Sequence, residues 1–357
     1  MSQSIISPLA AGLSPYIPGE QPKGRKKIIK LNTNENPYPP SPKVLSAIKD
    51  ALDDLRAYPD PASVNLRTAI AKSEGLCADQ VFVGNGSDEV LALCFPAFFV
   101  GQNAPVRFAD VTYSFYQVYA QLFDVPVEKV PLTQDYCMDL DVFCRGGAGG
   151  ILIPNPNAPT GIALSLPQIE RILQANPHCL VLIDEAYVAF GAQSAVSLID
   201  RYENLLVVRT FSKSHALAGL RCGYALGQAP LIHALTCVKD SFNSYPLDRL
   251  AQAGAQAAIE DAAYTIAKCE QIQKTRDWFS RALADRGFTV LPSQTNFVFA
   301  SPADGDGKSC FAYLRQKNIL VRHFDSPRTT AFLRITIGTD EQMQALIDAL
   351  DERSRLA

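Results

Sequence analysis

Three short apolar runs in the middle of the 357-residue chain each end in groups able to do chemistry. Ile151-Leu152-Ile153 leads into Pro154-Asn155-Pro156-Asn157-Ala158-Pro159-Thr160-Gly161, and Val181-Leu182-Ile183 into Asp184-Glu185-Ala186-Tyr187. Leu206-Val207-Val208 leads into Arg209-Thr210-Phe211-Ser212-Lys213. In an open α/β sheet, ligands sit beyond the carboxyl ends of the strands. The three ends would deliver amide, carboxylate and amine to one crevice. A fourth segment, Gly84-Asn85-Gly86-Ser87-Asp88-Glu89 ahead of an apolar helix, offers backbone N–H groups at a helix start, which suit an anion.

Each feature alone has a plainer explanation. Asp184 could cap a helix, Gly-x-Gly could be a turn, and Lys213 could be a solvated surface lysine. Together they match the needs of a phosphorylated pyridine aldehyde: an amine to condense with, a carboxylate to keep the ring nitrogen protonated, and a phosphate cup. The set points to pyridoxal 5'-phosphate, with Lys213 as its covalent anchor. His215, two residues after Lys213, reads as a packing or surface histidine rather than an acid–base group.

The elements that must position these groups follow from the apolar pattern. Short apolar runs alternating with helical patterns suggest an α/β protein with a largely parallel sheet. Strands are expected at 150–153, 180–183 and 205–208. Between the first two, Pro167 opens a helix with Ile169, Ile172 and Leu173 on one face. A mostly helical stretch over 259–286 leads to strands at 296–300 and 332–337. The segment up to Pro42 carries Pro15, Pro18, Pro22, Pro37, Pro39, Pro40 and Pro42, which predicts an extended arm without helix or central strand.

Bulk properties exclude several classes. With 47% apolar and 19% charged residues and a net charge of −3, the chain reads as a globular protein with no electrostatic pull towards nucleic acid or anionic membrane. The one basic cluster, Lys23, Arg25, Lys26 and Lys27, reads as a solvated connector. Nine cysteines without Cys-x-x-Cys or zinc spacing read as small buried apolar residues in a reducing compartment, and no metal is expected. No signal-peptide pattern opens the chain, and the most apolar stretch, 90–101, is broken by Pro96. A cytoplasmic protein is expected.

At the residues singled out above, the sequence resembles the fold-type I pyridoxal-phosphate-dependent aminotransferases, and within them the histidinol-phosphate aminotransferases. The resemblance covers nearly the whole chain. It is carried by Leu31-Asn32-Thr33-Asn34-Glu35-Asn36-Pro37, Tyr58-Pro59-Asp60, Gly86-Ser87-Asp88-Glu89 and Pro159-Thr160-Gly161. Further carriers are Asp184-Glu185-Ala186-Tyr187, Ser212-Lys213 with Leu217-Ala218-Gly219-Leu220-Arg221-Cys222-Gly223, and Leu333-Arg334-Ile335-Thr336-Ile337-Gly338. The block from Lys213 to Gly223 is the most specific.

The resemblance implies an α/β fold with a large domain over 41–258, whose mostly parallel sheet is flanked by helices. A smaller α+β domain with an N-terminal arm would comprise 1–40 and 259–357. Lys213 would anchor the cofactor and later move the substrate's proton. Asp184 would pair with the ring nitrogen and Tyr187 would donate to the phenolic oxygen. Gly86, Ser87, Asp88, Thr210, Ser212 and Arg221 would hold the phosphate. Tyr113 would stack on the ring, a buried core tyrosine being the alternative. Tyr58 would reach the neighbouring subunit's phosphate, making a homodimer with a shared active site.

One position departs from the family pattern. Ala158 stands where an Asn usually bonds the phenolic oxygen, and the expectation is that Asn157 or Asn155 turns inward instead. Arg322, Arg334, Tyr16 and Asn34 are the candidate substrate contacts. The resemblance implies exchange of an amino group between L-histidinol phosphate with 2-oxoglutarate and imidazole-acetol phosphate with glutamate. The alternatives are an aromatic amino-acid aminotransferase, a threonine-phosphate decarboxylase on the same fold, and a non-catalytic regulatory domain. The last usually carries a DNA-binding head, for which the arm leaves little room.

Overall fold

In the computed structural model, which describes residues 5–15, 19–21 and 28–356, the strands in chain order are β1 (Ile29–Lys30), β2 (Val81–Gly84), β3 (Val106–Ala109), β4 (Val127–Val130), β5 (Gly150–Pro154), β6 (Val181–Asp184), β7 (Leu205–Thr210), β8 (Gly223–Gly227), β9 (Thr289–Val290), β10 (Phe297–Ser301), β11 (Ile319–Leu320), β12 (Arg322–His323) and β13 (Leu333–Thr336). Seven of them form a central sheet in the order β2-β8-β7-β6-β5-β3-β4. Only β8 runs antiparallel to its neighbours.

The continuous apolar runs are explained by burial on both faces of this sheet. Alternation sends Ile151, Ile153, Val181, Ile183, Leu205 and Val207 into one core, while Leu152, Leu182, Leu206 and Val208 enter the other. Each such side chain contributes roughly 1.5–3 kcal/mol when removed from water. The helix Leu166–Ala175 starts with Pro167 in its first turn and buries Ile169, Ile172 and Leu173, as the periodicity predicts. The same alternation separates the polar ends. Asp184 and Thr210 follow the Leu182 and Val208 face, and Arg209 lies on the opposite one.

A second, antiparallel sheet of order β12-β13-β10-β9 packs on the helices Ala262–Ala284 and Asp340–Leu356 around Phe279, Val298, Leu333, Ile335 and Met343. β1 pairs in parallel with β11, tying the arm to this part of the molecule. The stretch 259–286 is mostly helical, as expected: Ala262–Ala284 is one helix, set off from the preceding helix Arg249–Glu260 by a break at Asp261, whose carboxylate accepts from Ser41 and Lys43.

The arm is less extended than its prolines suggest. Residues Pro8–Gly12 form a short helix capped by Ser7, because proline is tolerated in a first turn. Pro42 does the same for the helix Pro42–Asp50, with Ser41 as its cap. The cysteines are also less uniformly buried than expected: Cys77, Cys137 and Cys237 are exposed.

One close approach fixes the site's floor. A Cβ at Gly223 in β8 would lie 2.3 Å from the Ser87 nitrogen, so the helix Gly86–Cys94 can begin against this strand only because Gly223 has no side chain. Gly223→Ala should cost about 1–3 kcal/mol by overpacking and push the first-turn amides out of place. Urea unfolding, together with cofactor-phosphate affinity, measures both effects.

Candidate active site

The carboxyl ends of β5, β6 and β7 open on a cavity of about 320 Å3. Its walls include Ser87, Asp88, Tyr113, Ala158, Asp184, Tyr187, Thr210, Ser212, Lys213 and Arg221. Gln21, Thr33 and Glu35 close it from the amino-terminal side. Three successive strand ends thus converge with a helix start, as the sequence pattern predicts.

Lys213 stands on the loop that follows β7, where Asn36 Nδ2 donates to the Lys213 and Ser214 carbonyls at 3.0 and 3.1 Å. Its Nζ donates to the Thr33 carbonyl at 3.1 Å and lies 5.9 Å from the Tyr187 ring centre. Burial, then the nearby Arg334 guanidinium, lowers its pKa to about 8. A fraction of the amine is therefore neutral and nucleophilic at neutral pH.

Asp184 ends β6 with only 5% of its surface exposed. Desolvation raises its pKa to about 6, against the opposing hydrogen bonds it accepts from Tyr116 Oη (3.0 Å) and the Ala186 amide (3.1 Å). A carboxylate held this way is suited to a cationic N–H. Tyr187 Oη accepts from Asn34 Nδ2 at 2.8 Å, and Asn34 is itself locked by Thr336 and Asn296. Burial raises the Tyr187 pKa, with Arg334 opposing, so the phenol stays protonated and able to donate.

At the other edge, the helix Gly86–Cys94 has no side-chain cap, which leaves its first N–H groups to a ligand. Arg221 takes a left-handed backbone (φ 51°) and its Nη2 donates to Asp88 Oδ2 at 2.9 Å. Asp88 Oδ1 accepts from Tyr113 Oη at 2.7 Å. Gly86, at φ 84°, lets the guanidinium approach: a Cβ there would lie 2.7 Å from Arg221 Nη2. Thr210 Oγ1 accepts from the Ser212 amide at 3.1 Å, turning the chain so that both residues line the cavity. Amine, carboxylate, phenol and anion cup occur together, so the donor set fits a phosphorylated pyridine aldehyde.

The structure corrects one expected contact. Asn157 Nδ2 donates to the Val111 carbonyl and Thr160 Oγ1, and its Oδ1 accepts from Thr112. Asn155 clamps the Leu164 amide and carbonyl. Both amides are spent on holding the Pro154–Gly161 loop, so neither turns into the cavity, where Ala158 presents its methyl group.

Other candidates lie around the cavity rather than on it. Arg322 and Arg334 are register partners on β12 and β13 and line an adjoining cavity of about 530 Å3, which shares Tyr113 and Ala158 with the first. Tyr58 is 79% exposed and stacks on Tyr245 at 4.7 Å, outside both cavities. Tyr16 lies outside the described residues. His215 packs against Phe211 at 4.8 Å, with its Nδ1 3.0 Å from Ser214 Oγ, in a separate cavity behind the sheet. Burial and Arg209 lower its pKa to about 4.

Sequence reasoning missed Tyr116, Thr33, Glu35 and Asn36. Tyr116 is completely buried, and nothing in its local sequence distinguishes its hydroxyl from core packing. Thr33, Glu35 and Asn36 belong to a motif already noticed, but only the fold brings it over Lys213.

These features are those of a family. A model of aminotransferase class I and II matches residues 26–350, and the chain belongs to that family. It is 57% identical over 347 residues to histidinol-phosphate aminotransferase 1 of Bordetella parapertussis, covering 96% of this chain and 97% of that relative. It is 53% identical over 350 residues to a histidinol-phosphate aminotransferase of Acinetobacter baumannii, covering 97% and 96%. Among solved structures, histidinol-phosphate aminotransferase from Sinorhizobium meliloti in complex with pyridoxal-5'-phosphate superposes with a TM-score of 0.89 at 29% identity, covering 100% of this chain and 99% of that one.

Two outcomes are expected. Amine-directed acylation of Lys213 in the cofactor-free protein should be half-maximal near pH 8, where surface lysines need a pH above 10, as mass-spectrometric mapping of the modified peptide measures. Tyr116→Phe removes a hydrogen bond worth roughly 1.5–3 kcal/mol to the ionised form of Asp184. It should move the Asp184 pKa upwards from about 6, read from its carboxyl band by infrared titration.

Proposed function

We propose that the chain binds pyridoxal 5'-phosphate through Lys213 and exchanges an amino group between L-histidinol phosphate and 2-oxoglutarate. The observation that carries this is the shared cavity. A lysine of lowered pKa and a carboxylate of raised pKa line one space whose far edge is an uncapped helix start. Relatives covering nearly the whole chain support the choice of substrate.

When bound, the cofactor supplies an electron sink for the substrate carbon. The protein does the rest. Amides of Gly86, Ser87 and Asp88, the hydroxyls of Thr210 and Ser212, and Arg221 bind the phosphate. Asp184 holds a proton on the ring nitrogen, steadied by Tyr116. Tyr187, oriented by Asn34, would donate to the ring's phenolic oxygen, and Tyr113 would hold the ring. Lys213 Nζ would be the base that moves a proton at the substrate carbon. Arg322 and Arg334 would hold the substrate phosphate, and Arg334 would also serve glutamate. Asn157 acts by shaping the Pro154–Gly161 loop rather than by touching the ring.

The proposal extends to the assembly. The exposed Tyr58 suits a homodimer in which it reaches the partner's cofactor phosphate. Residues 41–258 would form the large domain, and 1–40 with 259–357 the arm and small domain. Among the described residues no helix is long and apolar enough to cross a membrane. A cytoplasmic enzyme is the simplest setting for such a reaction.

Purified protein with pyridoxal phosphate should absorb visible light, and Lys213→Ala should abolish that band. Initial rates on histidinol phosphate, phenylalanine and threonine phosphate should favour the first by at least about tenfold, near 1.4 kcal/mol in transition-state binding. A preference for phenylalanine would overturn the substrate assignment, and carbon dioxide release from threonine phosphate would overturn the reaction type.

A further inference from the structure

Two arginines stand directly opposite each other where β12 meets β13, at the register pair Arg322 and Arg334. Like charges at such positions repel and destabilise a sheet. Some feature must therefore hold them together. Phe324 is two residues beyond Arg322 on the same extended segment, so alternation returns its side chain to the same face. The Arg322 guanidinium carbon lies 5.4 Å from the Phe324 ring centre, and that of Arg334 lies 5.5 Å from it. Arg334 also packs against Phe297 at 5.5 Å. Among the described residues, Phe324 is a ring that both guanidiniums share. All three residues line the cavity adjoining the Lys213 site.

We propose that Phe324 is a positioning residue that sets Arg322 and Arg334 side by side as a single dianion-selecting site, a role that rests on the substrate reading above. An aromatic face attracts a guanidinium through its flat side, while the N–H groups at the guanidinium's edge donate to acceptors. One ring facing two guanidiniums presents two donor edges to one ligand. A phosphate dianion offers oxygens and charge for both, whereas a single carboxylate engages one. Phe324 thus supplies discrimination without touching the substrate's reacting atoms. Phe297 holds Arg334 independently, so losing Phe324 disturbs the pairing more than it disturbs Arg334 alone.

The test compares wild type, Phe324→Leu and Phe324→Tyr as cofactor-loaded enzymes, in which the cofactor's own phosphate cup is filled. Inorganic phosphate, as a competitive inhibitor against glutamate, probes the pair directly. In Phe324→Leu, the KM for histidinol phosphate and the inhibition constant of phosphate should both rise about tenfold, about 1.4 kcal/mol, while kcat and the KM for glutamate change less than about threefold. Phe324→Tyr, which keeps the aromatic face, should restore both constants, and this separates positioning from general loss of packing. Unchanged phosphate inhibition in Phe324→Leu, a fall confined to kcat, or equal weakening of glutamate and phosphate would each overturn the proposal. So would a wild type that phosphate does not inhibit. If histidinol phosphate is not turned over but phosphate inhibition weakens in Phe324→Leu and returns in Phe324→Tyr, the substrate assignment fails and the positioning role stands.

Discussion

Asp184 and Lys213 share one cavity at the ends of adjacent strands, and scarcity of water there shifts both away from their ordinary behaviour. Burial raises the carboxyl to about 6 and lowers the amine to about 8. Neither value would arise on an exposed loop. Each charge is costly to bury, and each becomes cheaper when a complementary group arrives. The cavity therefore sets a lysine ready to lose its proton beside a carboxylate ready to meet one. For Asp184 the raised pKa means that the stabilisation due to its proton is complete below 3.8 and is lost as pH rises through about 6. At neutral pH the apoprotein carries that cost, which a bound cation relieves.

The surrounding structure holds these two groups in register. Tyr113 and Tyr116, three residues apart, donate to Asp88 and Asp184 respectively. One short helix, Phe115–Leu122 with the residues before it, thus ties the anion-binding edge to the buried carboxylate. The segment 31–36 does the same between the two sheets. Leu31 accepts from the Thr336 amide of β13, Asn34 bonds Tyr187, and Thr33 and Asn36 hold the side chain and carbonyl of Lys213. A shift of the small sheet would be felt at the amine through this strap.

Much of this was legible in the amino-acid sequence, and the remainder was hidden for definable reasons. Fully buried parallel strands write themselves as unbroken apolar runs, so the first polar residue after each run marks a strand end. Asp184 stands out that way, Lys213 lies in the polar segment that follows the next run, and Tyr187 comes with the Asp184 motif. Side-chain direction was not legible. Asn155 and Asn157 look like ligands to a ring oxygen, yet the loop's own amides and carbonyls satisfy them first. Tyr116 was hidden by its apolar company, because a buried hydroxyl reveals its use only through a partner distant in sequence. The short helices at Pro8 and Pro42 were missed because proline was read as a helix breaker, when in a first turn it is an acceptable start.

The division of labour between the two sheets also has an electrostatic side. Arg334 belongs to β13 of the small sheet, yet after burial it is the strongest influence lowering the Lys213 pKa, and it also opposes the rise at Tyr187. Its field therefore reaches the chemistry from the small sheet. An anion seated on Arg334 cancels part of that field and makes the Lys213 amine more basic. Recognition of a charged substrate group and the readiness of the base are in this way one electrostatic event. The strap of residues 31–36 keeps the two within reach, since Arg334 Nη2 donates to the Asn32 carbonyl at 3.1 Å, one residue from the carbonyl that holds Lys213.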